Sequence, residues 1–173
     1  MSQILESRYF FNSLHHPWPS ATLKGEWVDL ARDPSAAHVL LRLGVSPRAD
    51  LPAVLLAEPT GKLRALGLRL AAWEAERLAN GHGIAPPQSV RLYGAGWCPD
   101  CKRARRFLEE SQVGFEEVNV DESIEAETLV LARSGGRRVI PTLLLDGRLW
   151  AFNPDPPLLK SLVLAAPPPP LAA

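Results

Sequence analysis

A chain of 173 residues holds one ordinary domain or two small ones, and a composition 46% hydrophobic and 22% charged is that of a folded protein with a core. Lys plus Arg and Asp plus Glu both number 19, so no net charge points to nucleic acid or to an anionic membrane, and neither partner is expected. Only 2 cysteines are present, three residues apart, which excludes a framework of structural disulfides and favours a local redox pair in a reducing, cytoplasmic setting.

Taken in chain order, residues 1–11 interleave Glu6 and Arg8 with apolar side chains and so lack the continuous apolar run of a secretory leader. Val28, Asp29 and Leu30 read as a strand, and Asp33 or Ser35 as the cap of a helix after it. Leu51-Pro52-Ala53-Val54 opens a further strand, and Pro59-Thr60-Gly61 is a turn. A helix is predicted from about 62 to 79, closed by Asn80-Gly81. Gly81, Gly83, Pro86 and Pro87 interrupt any regular element, so the predicted organisation is a first unit at 1–80, a linker at 81–88, a second unit at 89–166 and a proline-rich tail at 167–173. The apolar stretch 162–166 is far shorter than the roughly 20 residues that span a bilayer.

The second unit is the more legible. VRLYG, from Val90, is a strand, and 100–110 is a helix with Cys101, Ala104, Phe107 and Leu108 on one apolar stripe. Residues 115–120 alternate like a strand, and Ile124 to Arg133 form a second helix ended by Gly135 and Gly136. Thr142–Leu145 and 148–152 flank Asp146-Gly147, a tight hairpin turn, and Pro156 opens a last helix capped by Asp155 or Asn153. The order β-α-β-α-β-β-α predicts an α/β, thioredoxin-like fold with a mixed central sheet. The first unit reads as a worn repeat of it: Val28-Asp29-Leu30 falls on Val118-Asn119-Val120, and Leu51-Pro52 on Ile140-Pro141, about one residue out of step. It contains no cysteine, which makes it a degenerate thioredoxin-like domain with a structural or recognition role. Trp18, Trp27, His15 and His16 are expected as packing or surface residues, with adjacent histidines at most a weak metal site.

The chemistry is assigned to Cys98-Pro99-Asp100-Cys101, which follows a strand and opens a helix. Unpaired N–H groups and the macrodipole at a helix start favour an anion there, making Cys98 the nucleophile, while Cys101, one turn on, lies on the apolar stripe and is the resolving thiol. Lys102, Arg103, Arg105 and Arg106 add positive potential that Asp100 opposes. Half of a zinc site is the rival for this spacing; with no second CxxC, and only His15, His16, His38 and His82 besides, no metal is expected unless two copies share one.

The segments YGAGWCPDCKRARRFLEE, FEEVNVDES and SGGRRVIPTLLLDGRLWAFNP resemble, in that order, the glutaredoxin family, most closely its mycoredoxin-like branch, over about residues 88–166. The resemblance implies a glutaredoxin-type fold and a thiol-disulfide oxidoreductase of electron transport and cell redox homeostasis, using no bound cofactor but a small thiol as co-substrate. It also implies that Ile140 presents its backbone to the bound thiol and that Pro141 is cis and faces Cys98. Trp97, Pro99, Asp100, Arg138, Val139, Ile140 and Pro141 are the expected substrate-binding residues, with Arg137 and Arg138 either gripping a carboxylate or lying exposed. Pro99-Asp100 stand where the family usually has Pro-Tyr, and Phe152-Asn153-Pro154-Asp155 where it usually has a Gly-Gly-Cys-Ser-Asp stretch, which leaves glutathione, mycothiol and bacillithiol all open as the thiol. The expected partners are disulfide-bearing proteins or mixed disulfides, and a small thiol or a reductase. The alternatives are a protein-interaction module with a vestigial CxxC and a thioredoxin-like partner of a reductase.

Overall fold

The computed structural model describes residues 5–17, 23 and 25–166. Trp18 and the tail at 167–173 lie outside them. Eight strands form one sheet in the order β2-β1-β3-β4-β8-β7-β5-β6. The strands of the first half are β1 (Glu6–Phe11), β2 (Glu26–Asp29), β3 (Ala53–Ala57) and β4 (Leu63–Gly67). Those of the second are β5 (Val90–Gly94), β6 (Glu116–Asn119), β7 (Thr142–Leu145) and β8 (Leu149–Phe152). The helices are α1 (Ala37–Arg42), α2 (Ala72–Ala79), α3 (Pro99–Glu110), α4 (Ile124–Arg133) and α5 (Pro156–Val163).

Local chemistry sets the ends of the second-half helices. Cys98, Ser123 and Asp155 each cap one, their side chains accepting from the backbone N–H of Cys101, Ala126 and Leu158, and Pro99 and Pro156 occupy the first helical position, where a missing N–H costs nothing. The β7–β8 turn places both Asp146 and Gly147 at positive φ, the conformation that matches strand twist in a two-residue hairpin. Asp146 Oδ1 also accepts from the N–H groups of Gln88 and Ser89, which fixes the entry to β5.

The second half has the thioredoxin-like arrangement, β6-β5-β7-β8 with α3 and α5 on one face and α4 on the other, the outer pair parallel and the rest antiparallel. The first half repeats that strand order and polarity as β2-β1-β3-β4, and both prolines that precede the third strand, Pro52 and Pro141, follow a cis peptide. Its predicted elements fared less evenly. The helix expected over 62–79 is instead β4 followed by α2: the helix-forming side chains of 63–67 are overridden by pairing with β3 on one side and β8 on the other. Gly67 belongs to that strand, since a Cβ there would sit 2.6 Å from Leu78 of α2. Asp33 and Ser35 cap nothing with their side chains; the Ser35 hydroxyl donates to Asp33, and a short 3-10 turn leads into α1. β1 carries no turn-bounded alternation and emerges as a central strand, paired on both edges.

The halves meet through β4 and β8, antiparallel with Leu66 opposite Trp150. Around that ladder Arg148 pairs with Glu74, Arg133 donates to the carbonyls of Leu43 and Gly44 at 2.8 and 2.6 Å, and Ser161 donates to Gly81 at 3.0 Å. Residues 81–88 pack rather than hang free: Ile84 is buried, and a Cβ at Gly83 would lie 2.4 Å from the Ser161 carbonyl.

Candidate active site

β5 ends at Gly94, and the chain turns through Ala95-Gly96-Trp97 to start α3 at Cys98. Both cysteines are free thiols. Cys98 Sγ accepts a 3.1 Å hydrogen bond from the Cys101 N–H, one of the donors that a helix start leaves without an intrahelical partner. Gly94 lies directly under Cys101: a Cβ there would come within 2.9 Å of Cys101 Sγ, so this strand end must be bare for the helix to approach. Cys101 is fully buried and Cys98 only 5% exposed. The two pack with Ala95, and Ile140 from the loop before β7 leans on the same cluster. That brings together the helix start and the proline loop, as the sequence suggested. Burial first, and then the hydrogen bond with Cys98, push the Cys101 thiol up to about 12, which favours its protonated form.

The other singled-out residues divide. Trp97 is 64% exposed beside the pair, and its indole N–H donates to Asp121 Oδ2 at 2.8 Å. Asp121 also pairs with Arg138, whose Nε donates to Glu127 at 3.0 Å. The indole hydrogen bond and then the Arg138 guanidinium hold the Asp121 carboxyl below the usual range. Arg138 thus clamps the proline loop onto the turn after β6 and is not presented as a free guanidinium. Arg137 points elsewhere, lining a cavity of about 480 Å³ with Arg42, Leu43 and Leu55, to which neither cysteine contributes. Val139 is partly buried, its carbonyl taken by the Thr142 hydroxyl at 2.8 Å. Pro141 is buried and Pro99 exposed. Asp100 pairs with Arg103 at 3.1 Å and Arg105 pairs with Glu117, so two of the four cations expected to raise the potential at Cys98 are neutralised locally. The histidine pair is remote in the chain: His15 and His16 sit on the turn after β1, and His16 Nδ1 accepts from the Asn12 N–H at 3.4 Å.

Two contributors were not singled out from sequence, and a third, Asn153, was read there only as a candidate helix cap and as part of the stretch that departs from the family pattern. Gly94 and Asp121 lie inside the quoted motif segments without any role assigned. Asn153, just past β8, takes a positive φ of 40°, donates its N–H to the Pro141 carbonyl at 2.7 Å and reaches Asp100 with its amide at 3.5 Å.

A reduced thiol pair at a helix start, with a buried proline loop against it on this strand order, defines the thioredoxin-like class of thiol-disulfide oxidoreductases. The glutaredoxin family model matches residues 90–150. A probable glutaredoxin of Synechocystis sp. is 32% identical over 63 residues, 36% of this chain and 72% of that protein. Mycoredoxin 1 of Corynebacterium glutamicum is 29% identical over 66 residues, 38% of this chain and 81% of that one. Among solved structures, the glutaredoxin from Archaeoglobus fulgidus is 27% identical, aligning 47% of this chain and 88% of its own at a TM-score of 0.37. The chain belongs to the glutaredoxin family.

Proposed function

We propose that the protein reduces protein disulfides or mixed disulfides, with Cys98 as nucleophile, Cys101 as resolving thiol and a low-molecular-weight thiol as the final reductant. The observation that carries this is Cys98 Sγ at the start of α3, accepting the Cys101 N–H and packed against Ile140. In the first step the Cys98 thiolate attacks one sulfur of the substrate disulfide; the new bond joins Cys98 to that sulfur, the old S–S bond breaks, and the other sulfur leaves as a thiolate that takes up a proton. Cys101 then loses its proton and attacks Cys98 Sγ, closing the Cys98–Cys101 disulfide and releasing the second substrate thiol. Two molecules of small thiol restore both cysteines and depart as their own disulfide. Glutathione, mycothiol and bacillithiol satisfy this balance equally.

In this proposal Trp97, Pro99 and Asp100 flank the incoming sulfur on one side and Val139, Ile140 and Pro141 on the other, with Arg138 holding the second wall in place through Asp121 and Glu127. Cys98 is so well covered that substrate enters edge-on, along the Ile140 backbone. The reaction needs a reducing compartment such as the cytoplasm; no described helix is long and apolar enough to cross a membrane. Residues 1–80 are proposed to be a cysteine-free copy of the fold that supports the catalytic half. The test is trapping: the Cys101→Ser chain, mixed with a disulfide-bearing peptide, is expected to accumulate a mixed disulfide that peptide mapping places on Cys98. No adduct, or an adduct absent from Cys98, overturns the assignment.

A further inference from the structure

Glu58, at the start of the β3–β4 turn, and Arg64, on β4, form an ion pair whose side chains are each only 13% exposed. Both belong to the cysteine-free half. Removing two charges from water in this way is costly, and an apolar pair of the same size generally serves stability as well. What the charges supply is direction. Arg64 Nη1 crosses the β4–β8 junction and donates to the carbonyl of Asn153 at 3.1 Å.

Asn153 is a branch point for the site. Its backbone sits at φ 40°, in the left-handed region that asparagine adopts more readily than most residues with a side chain. Its N–H holds the Pro141 carbonyl at 2.7 Å, and its side-chain amide reaches the carboxylate of Asp100 at 3.5 Å. One residue therefore touches both walls of the approach to Cys98: the proline loop, and the pair of residues between the cysteines. Its orientation is set on one side by the start of α5, capped by Asp155, and on the other by the guanidinium from the first half.

We infer that Arg64 is a positioning residue for the Cys98 site: its hydrogen bond to the Asn153 carbonyl fixes the left-handed turn that aligns the Ile140-Pro141 backbone with the sulfur of an incoming disulfide. This rests on the thiol-disulfide exchange reading above. Glu58 orients Arg64, and neither residue touches substrate. The part played by the first half is thus to hold the wall of a groove whose chemistry lies wholly in the second.

The test uses the full chain, reduced, in single turnover with a dye-labelled peptide carrying an aromatic thiol in mixed disulfide, so that no outside reductant is needed. Arg64→Met is expected to raise the half-saturating peptide concentration about tenfold, the size of losing one charge-assisted hydrogen bond, with the maximal rate little changed. Three further readouts separate positioning from general damage. Iodoacetamide, too small to need the groove, should alkylate Cys98 at the wild-type rate. The Asn153 amide should lose its protection against hydrogen exchange in Arg64→Met. Arg64→Lys should recover most of the affinity, and Glu58→Gln should fall between. A wild-type chain that transfers no sulfur overturns the exchange reading and this inference with it. A competent wild type whose Arg64→Met variant keeps the same half-saturation, or loses alkylation rate in parallel with it, overturns the inference alone.

Discussion

The two halves of the sheet run in step until the end of their first strand and part there. In the second half the Gly94 carbonyl accepts from Val120 N at 3.0 Å; in the first, the Phe11 carbonyl accepts from Leu30 N at 2.9 Å. Asn119 closes a turn on the N–H of Asp121, and Asp29 closes the matching one on Ala31. Beyond that point Gly94 leads to α3 and its cysteines, whereas Phe11 leads to a turn in which His15 and His16 both donate from their backbones to the Asn12 carbonyl. The side chain at the strand end accounts for the difference. Gly94 leaves room for Cys101 to sit on the sheet; Phe11, fully buried and stacked on Tyr9 at 5.4 Å, occupies the corresponding face itself. A shared strand order therefore does not make a redox site. The site requires a helix start, and a strand end bare enough to receive it.

The largest effect should come from the position where the halves differ most. Cys98→Ser is expected to abolish disulfide exchange, while His15→Ser, four residues past Phe11 as Cys98 is four past Gly94, should leave the rate unchanged. Loss of exchange in the His15 variant would mean that the first half contributes chemistry as well as support. The next effect concerns the join. Glu74→Ala leaves Arg148 partly buried without its carboxylate, and should cost about 3 kcal/mol, the low end for breaking such a pair. Because one ladder crosses the junction, urea unfolding followed at Trp150 and at the first-half helices should give a single shared midpoint. Separate midpoints would break the picture of one sheet.

How much of this was legible depended on where the defining contacts lie along the chain. In the second half the capping residues, the Asp146-Gly147 turn and the CxxC sit within a few residues of the structure they cause, so element order and the cysteine site could be read directly. In the first half the deciding contacts are distant. Residues 63–67 have helix-forming side chains at helical spacing and become a strand only because β3 and β8 supply hydrogen bonds on both edges. Phe10 and Phe11 are buried in a strand paired on both sides, where alternation gives no signal. Arg64 has no signature in its neighbours: two of its partners lie six residues before it and 89 residues after it. The roles of Arg137 and Arg138 also needed the fold, since adjacent arginines of equal standing in sequence end in different surroundings, one at a remote cavity and one clamped between Asp121 and Glu127.

A smaller perturbation sharpens the strand-end contrast. Gly94→Ala places a methyl group 2.9 Å from Cys101 Sγ and 3.2 Å from its Cβ, so α3 must lift. A loss of about 1–2 kcal/mol is expected, as for one methylene forced into a packed core. Cys98 should become more open to alkylation as the helix start loosens. An unchanged melting curve would show that the helix start tolerates a side chain beneath it, and the comparison with Phe11 would lose its force.

The smallest effect lies in acid. Asp121 occupies the place that Ala31 takes in the first half, so among the described residues it is the second half that carries a carboxylate at this position, tying its exposed tryptophan to the proline loop. The Trp97 and Arg138 contacts hold that carboxyl below its ordinary value of 3.8. The folded protein therefore binds the proton less readily than the unfolded chain, and the sign follows: the contact contributes fully above the ordinary value and is lost as pH falls through the lowered one. The indole N–H resonance of Trp97 should hold steady down to about pH 4 and then move toward its free position, at constant helix content. Asp121→Asn keeps an acceptor but removes the charge, and should flatten that titration while weakening the hold on Arg138. Because the contact is exposed, high salt should reduce the Arg138 contribution before it alters the indole hydrogen bond. A Trp97 resonance that titrates identically in wild type and Asp121→Asn would mean that another group controls the indole, and would remove the tie between this wall of the site and the loop it faces.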